Sequence, residues 1–198
     1  MKKKVENTIP TDEELIGRFQ DGDIYAFEQI VKRYKDQLLN YAYRFLGAIE
    51  DSEDIVQETF LRVFRKRKAY RNIAKFSTWI YTITGNLAKT ELRRRRKKKL
   101  FSISGLKYNN KEYEIPDRKR GPDERADSVV MDEIIQKAID SLSPKFKEVI
   151  ILRDIQELSY EEISKIIKIP LGTVKSRVNR ARLKLQELLG DLFKSPEK

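Results

Sequence analysis

The sequence predicts an all-α protein: two helical domains joined by a flexible linker, the second built as a helix-turn-helix. Three observations predict it. Apolar residues recur at spacings of three and four through most of the chain. No segment shows strand alternation or an Asn-Gly hairpin signal. Between Phe101 and Asp127 the periodicity stops, and Gly105, Asn109, Asn110, Pro116, Gly121 and Pro122 stand among mixed charges. The domains are therefore expected at residues 10–99 and 129–192, with the linker at 100–128.

Each helix carries its own signals. Thr11 with Glu14 makes a capping box at the start of a first short helix. Phe27, Ile30, Val31, Tyr34, Leu38, Tyr41, Ala42 and Phe45 form one face of a long second helix, and Gly47 ends it. A third begins near Asp51, where acids suit the N-terminal dipole, and runs to basic residues near Arg67. A fourth carries Phe76, Ile80, Ile83 and Leu87 and continues into Arg93–Lys99. After the linker, Val130, Ile134, Ala138 and Ile139 restart the pattern. Ser143-Pro144 is a cap followed by proline at the first helical position, and Ser159 with Glu162 is a second capping box. Val174, Val178, Ala181, Leu185 and Leu188 mark the last helix.

Composition narrows the function. The 198 residues suit one or two compact units, and 39% apolar with 37% charged residues suits two small cores rather than one large α/β enzyme. A net charge of +11 and a pI of about 9.6 favour a polyanionic partner, nucleic acid first and an anionic membrane second. The chain has no cysteine, which excludes disulfides and thiolate chemistry, and no histidine, the commonest general base and metal ligand. No cofactor or metal is expected. Met1–Lys4 is basic without a following apolar stretch, and the longest aliphatic run is Val149–Leu152. A cytoplasmic protein is expected.

Tyr160–Leu185 is the sharpest local signal. A capped helix, Tyr160–Ile167, meets a break at Lys168–Leu171 and then a second helix. Ile163, Ile167, Ile169, Val174 and Val178 are expected to form one small core that sets the crossing angle. With the Val174 face turned inward, Lys175, Ser176, Asn179 and Arg180 point outward, where such donors read base edges and grip phosphates. No acid stands between Ile163 and Gln186, while Lys165, Lys168, Lys175, Arg177, Arg180, Arg182 and Lys184 are basic. The plainer alternative is a solvated amphipathic hairpin. If Lys168 is left-handed, the strain is of order 1 kcal/mol.

Three features mark the N-terminal half. Asp54, Gln57 and Glu58 project from one side of the third helix, a face that suits arginines on a partner helix or is simply solvated. A metal site at Asp51, Asp54 and Glu58 has no nucleophile, base or pocket to serve. Aromatic and basic residues interleave at Arg67, Lys68, Tyr70, Arg71, Asn72, Lys75, Phe76, Trp79 and Tyr81. Aromatic faces stack on unpaired bases while cations hold a single strand. Core packing is the alternative for Phe76 and Trp79, and a loop at Tyr70–Thr78 is the expected place for a captured base. Arg93–Lys99, seven consecutive cations, suits non-specific phosphate contact. If the whole protein made 6 to 10 such contacts, affinity would fall about 10³- to 10⁵-fold between 50 and 200 mM salt.

DSEDIVQETFLRVFR (Asp51–Arg65), FSTWIYTITGN (Phe76–Asn86) and LSYEEISKIIKIPLGTVKSRVNRARLKL (Leu158–Leu185) together resemble the extracytoplasmic-function group of sigma factors, in the sigma-70 family of bacterial RNA polymerase. The three blocks occur in the family's order and spacing. The resemblance implies that Asp54, Gln57 and Glu58 dock on the clamp helices of the largest polymerase subunit. It implies that Arg71, Asn72, Lys75, Phe76, Trp79 and Asn86 serve recognition and melting of the −10 element, with a flipped base held before Trp79. Thr173, Lys175, Ser176, Arg177, Asn179 and Arg180 match the reader of the −35 element, and Arg93, Arg94, Arg95 and Arg96 would contact phosphates. The linker would thread near the RNA exit path, and an anti-sigma factor would be a partner. Ser52, Thr82, Thr84 and Gly85 depart from the family pattern; Gly85 should weaken its helix by about 1 kcal/mol relative to alanine.

The implied mechanism has no covalent step. Opening DNA works against stacking that averages about 1.4 kcal/mol per step, so polymerase contacts must supplement those of this chain. Two rivals make different demands. A self-sufficient DNA-binding regulator needs a dimer interface or sensor domain. A metal-dependent nuclease needs a carboxylate site.

Overall fold

The computed structural model describes residues 9–101 and 122–193. Met1–Lys4 and the linker residues 102–121 lie outside the described residues. Those described form helices α1 (Asp12–Gln20), α2 (Ile24–Leu46), α3 (Ile49–Arg65), α4 (Phe76–Phe101), α5 (Pro122–Ser141), α6 (Pro144–Ile150), α7 (Tyr160–Ile167) and α8 (Leu171–Phe193). A 3₁₀ turn, Arg67–Ala69, follows α3, and a π-helical turn, Ile151–Ile155, extends α6. Among the described residues there is no strand. Two helical ends differ from expectation: α4 runs to Phe101 and α5 starts at Pro122, both inside the stretch read as linker. Proline at a first helical position is compatible with a helix start, which the loop signals of that segment masked.

The expected caps form. Thr11 Oγ1 accepts from the Glu14 amide at 3.2 Å, while the Glu14 carboxylate accepts from the Thr11 amide at 2.7 Å. Ser159 and Glu162 repeat the arrangement. Gly47 ends α2 with φ of 67°, where glycine avoids Cβ strain. Lys168 ends α7 with φ of 55°, so the left-handed conformation considered above is present.

The N-terminal core gathers Leu15, Ile16, Phe19, Ile30, Leu38, Tyr41, Phe45 and Ile80 from α1, α2 and α4. The same core continues into the C-terminal domain through Ile139, Val149, Ile150, Ile163, Val174, Val178 and Ala181. Ile166 is buried there, whereas Ile167 and Ile169 are only partly so. The helical spacing predicts Ile167 and Ile169 in this core instead. The reason is a second neighbour: α7 packs not only on α8 but also on α4 of the first domain.

That packing joins the two domains. Lys75 pairs with Glu162 at 2.8 Å, Lys89 with Glu148 at 3.0 Å, and Arg44 with Asp132 at 2.8 Å. The Tyr81 hydroxyl lies 2.6 Å from Gln156 Oε1. The residues that depart from the family pattern also find local reasons. Ser52 and Thr84 are fully buried and donate to the carbonyls of Ala48 and Ile80 one turn back. Gly85 lets the Tyr41 hydroxyl and the Glu148 carboxylate approach α4.

Candidate nucleic-acid interface

Helix α8 presents the expected donors. Val174, Val178 and Ala181 are buried, which turns Lys175, Ser176, Asn179 and Arg180 to solvent. Thr173 and Arg177 are half-buried at the edge of this face. Arg182 belongs to the scaffold instead: its Nε is 3.0 Å from Asp154, tying α8 to the π-helical turn. The Lys184 ammonium sits 5.3 Å above the Phe146 ring.

On α3, Asp54 and Gln57 are exposed. Glu58 is half-buried and bonds to Arg62 at 2.7 Å. Leu61 and Phe64 lie one and two turns further along this side, both exposed. Neither is among the docking residues expected from the sequence. The signal available was the spacing of Leu61, three from Glu58 and four from Gln57, and of Phe64, three from Leu61.

The segment before α4 is more compact than the expected Tyr70–Thr78 loop, because α4 begins at Phe76. Tyr70 is buried and its hydroxyl donates to the Ala74 carbonyl at 2.7 Å. Phe76 is fully buried, its ring 5.5 to 5.9 Å from those of Tyr34, Tyr70 and Trp79. Its amide donates to Glu13 at 3.0 Å, which caps α4. Phe76 is thus a core residue and not a surface for a base. Trp79 is half-buried, while Arg71, Asn72, Ile73, Lys75 and Asn86 are exposed. Ile73 is 86% exposed and was not singled out from the sequence. The loop, α1 and α7 together line an open cleft, with the acids Asp12 and Glu13 as well as Asn72, Lys75, Ser77 and Lys165 on its wall.

The cationic run divides. Arg94 bonds to Glu91 at 2.7 Å. Arg95 reaches Asp51 and, at 2.8 Å, the Leu46 carbonyl, stapling α4 to the α2–α3 corner. Burial would raise the Glu91 carboxyl, but Arg94 and Arg95 hold it below the usual range. Arg93 and Arg96 remain exposed. Of the four arginines expected to touch phosphate, Arg95 is therefore engaged in structure. Asp51 is taken up by Arg95, and among the described residues no cluster of metal-ligating side chains occurs.

Charge at the domain junction is unevenly satisfied. Burial pushes the Glu148 carboxyl up, opposed by Lys89 and by Arg177 of α8. Burial would also raise Glu162, but Lys75 and the Ser159 cap bring it below the usual range.

Comparison with known families decides the identity. Residues 30–98 match the model of sigma-70 region 2, and residues 132–185 match that of sigma-70 region 4. The chain is 35% identical over 179 residues to the extracytoplasmic-function sigma factor SigW of Bacillus subtilis, covering 89% of this chain and 96% of that protein. This chain is an extracytoplasmic-function sigma factor. Sigma-E of Haemophilus influenzae is 31% identical, covering 92% and 97%. Among solved structures, the sigma factor RpoE of Bartonella quintana, crystallised with the anti-sigma factor NepR, superposes with a TM-score of 0.67 at 26% identity, covering 83% of this chain and 96% of that one. CnrH in complex with the cytosolic domain of CnrY shares the fold, with a TM-score of 0.69 at 24% identity over 92% of this chain and 99% of that one.

The sigma factor is thus a promoter-recognising alternative specificity subunit of RNA polymerase, and a transcription regulator. Region 2 falls on α2–α4 and region 4 on α5–α8. Among the described residues no helix is long and apolar enough to cross a membrane.

Proposed function

We propose that this sigma factor divides promoter recognition between α8, which reads the −35 major groove, and the Arg71–Asn86 segment, which captures and holds the opened −10 strand. The domains would divide as first drawn, at 10–99 and 129–192. The observation that carries the reading is the outward set Lys175, Ser176, Asn179 and Arg180 on a helix whose opposite face is fully buried. That geometry supports an edge-reading role for Asn179 and Arg180, with Thr173 and Arg177 at the flank.

In the first domain, Arg71, Asn72 and Lys75 supply polar contacts, Trp79 a stacking edge, and Asn86 a donor further along α4. Phe76 holds the loop from within. Arg93, Arg94 and Arg96 attract the phosphate backbone. Asp54, Gln57 and Glu58 form the polymerase dock, with Leu61 and Phe64 extending it as an apolar shoulder. The chain performs no covalent chemistry of its own, works in the cytoplasm, and is held in check by an anti-sigma factor. RpoE of Bartonella quintana, a relative by fold and sequence, has such a partner.

Reversing the dock tests this assignment. Asp54→Lys with Glu58→Lys should abolish co-purification with core RNA polymerase while leaving helical content unchanged. Retained assembly overturns the dock.

A further inference from the structure

Helix α1 stands before residue 30, where the match to region 2 begins. Its apolar face, Leu15, Ile16 and Phe19, is buried and fixes the helix in the core. Glu13 and Gln20 are seven residues apart. A step of seven drifts by only about 20° on an α-helix, so the two share a face, about 10 Å apart. Both are half-buried.

Both turn to the segment between α3 and α4. The Gln20 amide donates to the Arg67 carbonyl at 2.6 Å and to the Tyr70 carbonyl at 2.9 Å, so both of its N–H groups are used. The Arg67 guanidinium also sits 5.2 Å above the Phe19 ring of α1. At the other end, the Glu13 carboxylate accepts from the amide of Phe76, the first residue of α4, at 3.0 Å. Between these anchors the Tyr70 hydroxyl donates to the Ala74 carbonyl at 2.7 Å, and the Ile73 amide donates to the Arg71 carbonyl at 2.6 Å. Arg71, Asn72 and Ile73 are exposed. One helix thus holds both ends of a short loop whose tip faces solvent.

Asp12 and Glu13 also lie on the wall of the cleft beside Asn72 and Lys75. Carboxylates repel a phosphate strand, so acids at this place call for a role other than binding it. Asp12 is held by Arg33 and the Tyr34 hydroxyl of α2. Glu13 meets a helix N-terminus, where a carboxylate is favoured.

We propose that Glu13 and Gln20 are positioning residues for −10 readout. Glu13 by accepting and Gln20 by donating set the loop shape that presents Arg71 and Asn72 to a base, and neither touches DNA. The proposal rests on the reading of the Arg71–Asn86 segment as the −10 capture element. It adds that base choice at −10 depends on α1.

Opposite swaps separate this role from general stability. Glu13→Gln keeps an acceptor for the Phe76 amide, whereas Gln20→Glu removes both donors and sets a carboxylate against two carbonyls. Holoenzyme made from core polymerase and the full chain transcribes a template pool built on one start site of the parent chain. Either the −10 or the −35 segment is randomised, and a barcode in each transcript identifies its template. Preference is a ratio within one reaction, so a smaller folded fraction leaves it unchanged. Gln20→Glu and Glu13→Ala should each cut the −10 preference about tenfold. Their −35 preference, and the −10 preference of Glu13→Gln, should stay within about twofold of the parent. An unchanged −10 preference in Gln20→Glu and Glu13→Ala, equal loss at both elements, or a Glu13→Gln chain as relaxed as Glu13→Ala overturns the proposal. A parent chain that selects a −35 motif but no −10 motif overturns the underlying functional reading instead.

Discussion

Gly85 and Tyr41 are in contact through the space a side chain would fill: a Cβ on Gly85 would lie 2.8 Å from the Tyr41 hydroxyl. Tyr41 is fully buried, and among the described residues its hydroxyl has no hydrogen-bond partner. Burial pushes its ionisation well above the usual tyrosine range, with Glu148 adding to the effect. Gly85→Ala gains about 1 kcal/mol of helix propensity. Overpacking a fixed ring costs about 1–3 kcal/mol. A net loss of about 1 kcal/mol in urea unfolding is expected. Tyr41→Phe should be neutral or stabilising, since it removes an unpaired polar atom. The double variant should then match or exceed the parent. A double variant as weak as Gly85→Ala alone contradicts the contact.

Phe76 and Asn72 separate stability from function. Phe76→Ala removes a fully buried ring from an aromatic cluster and should cost about 3–5 kcal/mol. Asn72→Ala, at an exposed position, should stay within about 0.5 kcal/mol of the parent yet lower promoter opening. Thermal melts and permanganate footprinting of the −10 region check the pair. A stable Phe76→Ala chain would return Phe76 to the surface.

Lys168 bears a strain that glycine would relieve. Its φ of 55° at the end of α7 is the position that favours glycine at helix C-termini. Lys168→Gly should stabilise the C-terminal domain by about 1 kcal/mol in thermal unfolding. A lower melting temperature would contradict the strain.

Glu162 and Glu148 should titrate with opposite consequences. Glu162 is held below 4.5, so its contribution is present above pH 4.5 and lost as pH falls through the folded value. Glu148 is held above 4.5 by burial, with Lys89 and Arg177 opposing, so stability is lost as pH rises from 4.5 through its folded value. Glu162→Gln should flatten the acid limb of the melting curve below pH 4.5, whereas Glu148→Gln should flatten the slope above it. Gln keeps the Glu162 capping geometry, so its effect isolates charge. Calorimetry across this range distinguishes them, and slopes that change alike in both variants would contradict the assignment.

Much of this was legible in the sequence because the signals are local. Thr11 with Glu14 and Ser159 with Glu162 are three residues apart, and the Val174–Leu185 periodicity spans one helix. What was missed depends on distant partners. Lys75 meets Glu162 across 87 positions, and nothing near Ile166 in sequence signals that α4 will cover it. Phe76 is readable from the sequence as a stacking residue or as a core residue; Tyr34 and Tyr70 packing on its ring decides. Arg95 is one cation among seven in the sequence, and only its pairing with Asp51 sets it apart.

As a promoter-recognising specificity subunit, the chain chooses where RNA polymerase begins. Purified chain is added to core polymerase on genomic DNA, and the 5′ ends of the transcripts are sequenced. The account predicts a discrete set of starts sharing two upstream motifs, absent with core enzyme alone and lost on Asn179→Ala with Arg180→Ala. Starts no different from those of core enzyme alone would contradict it.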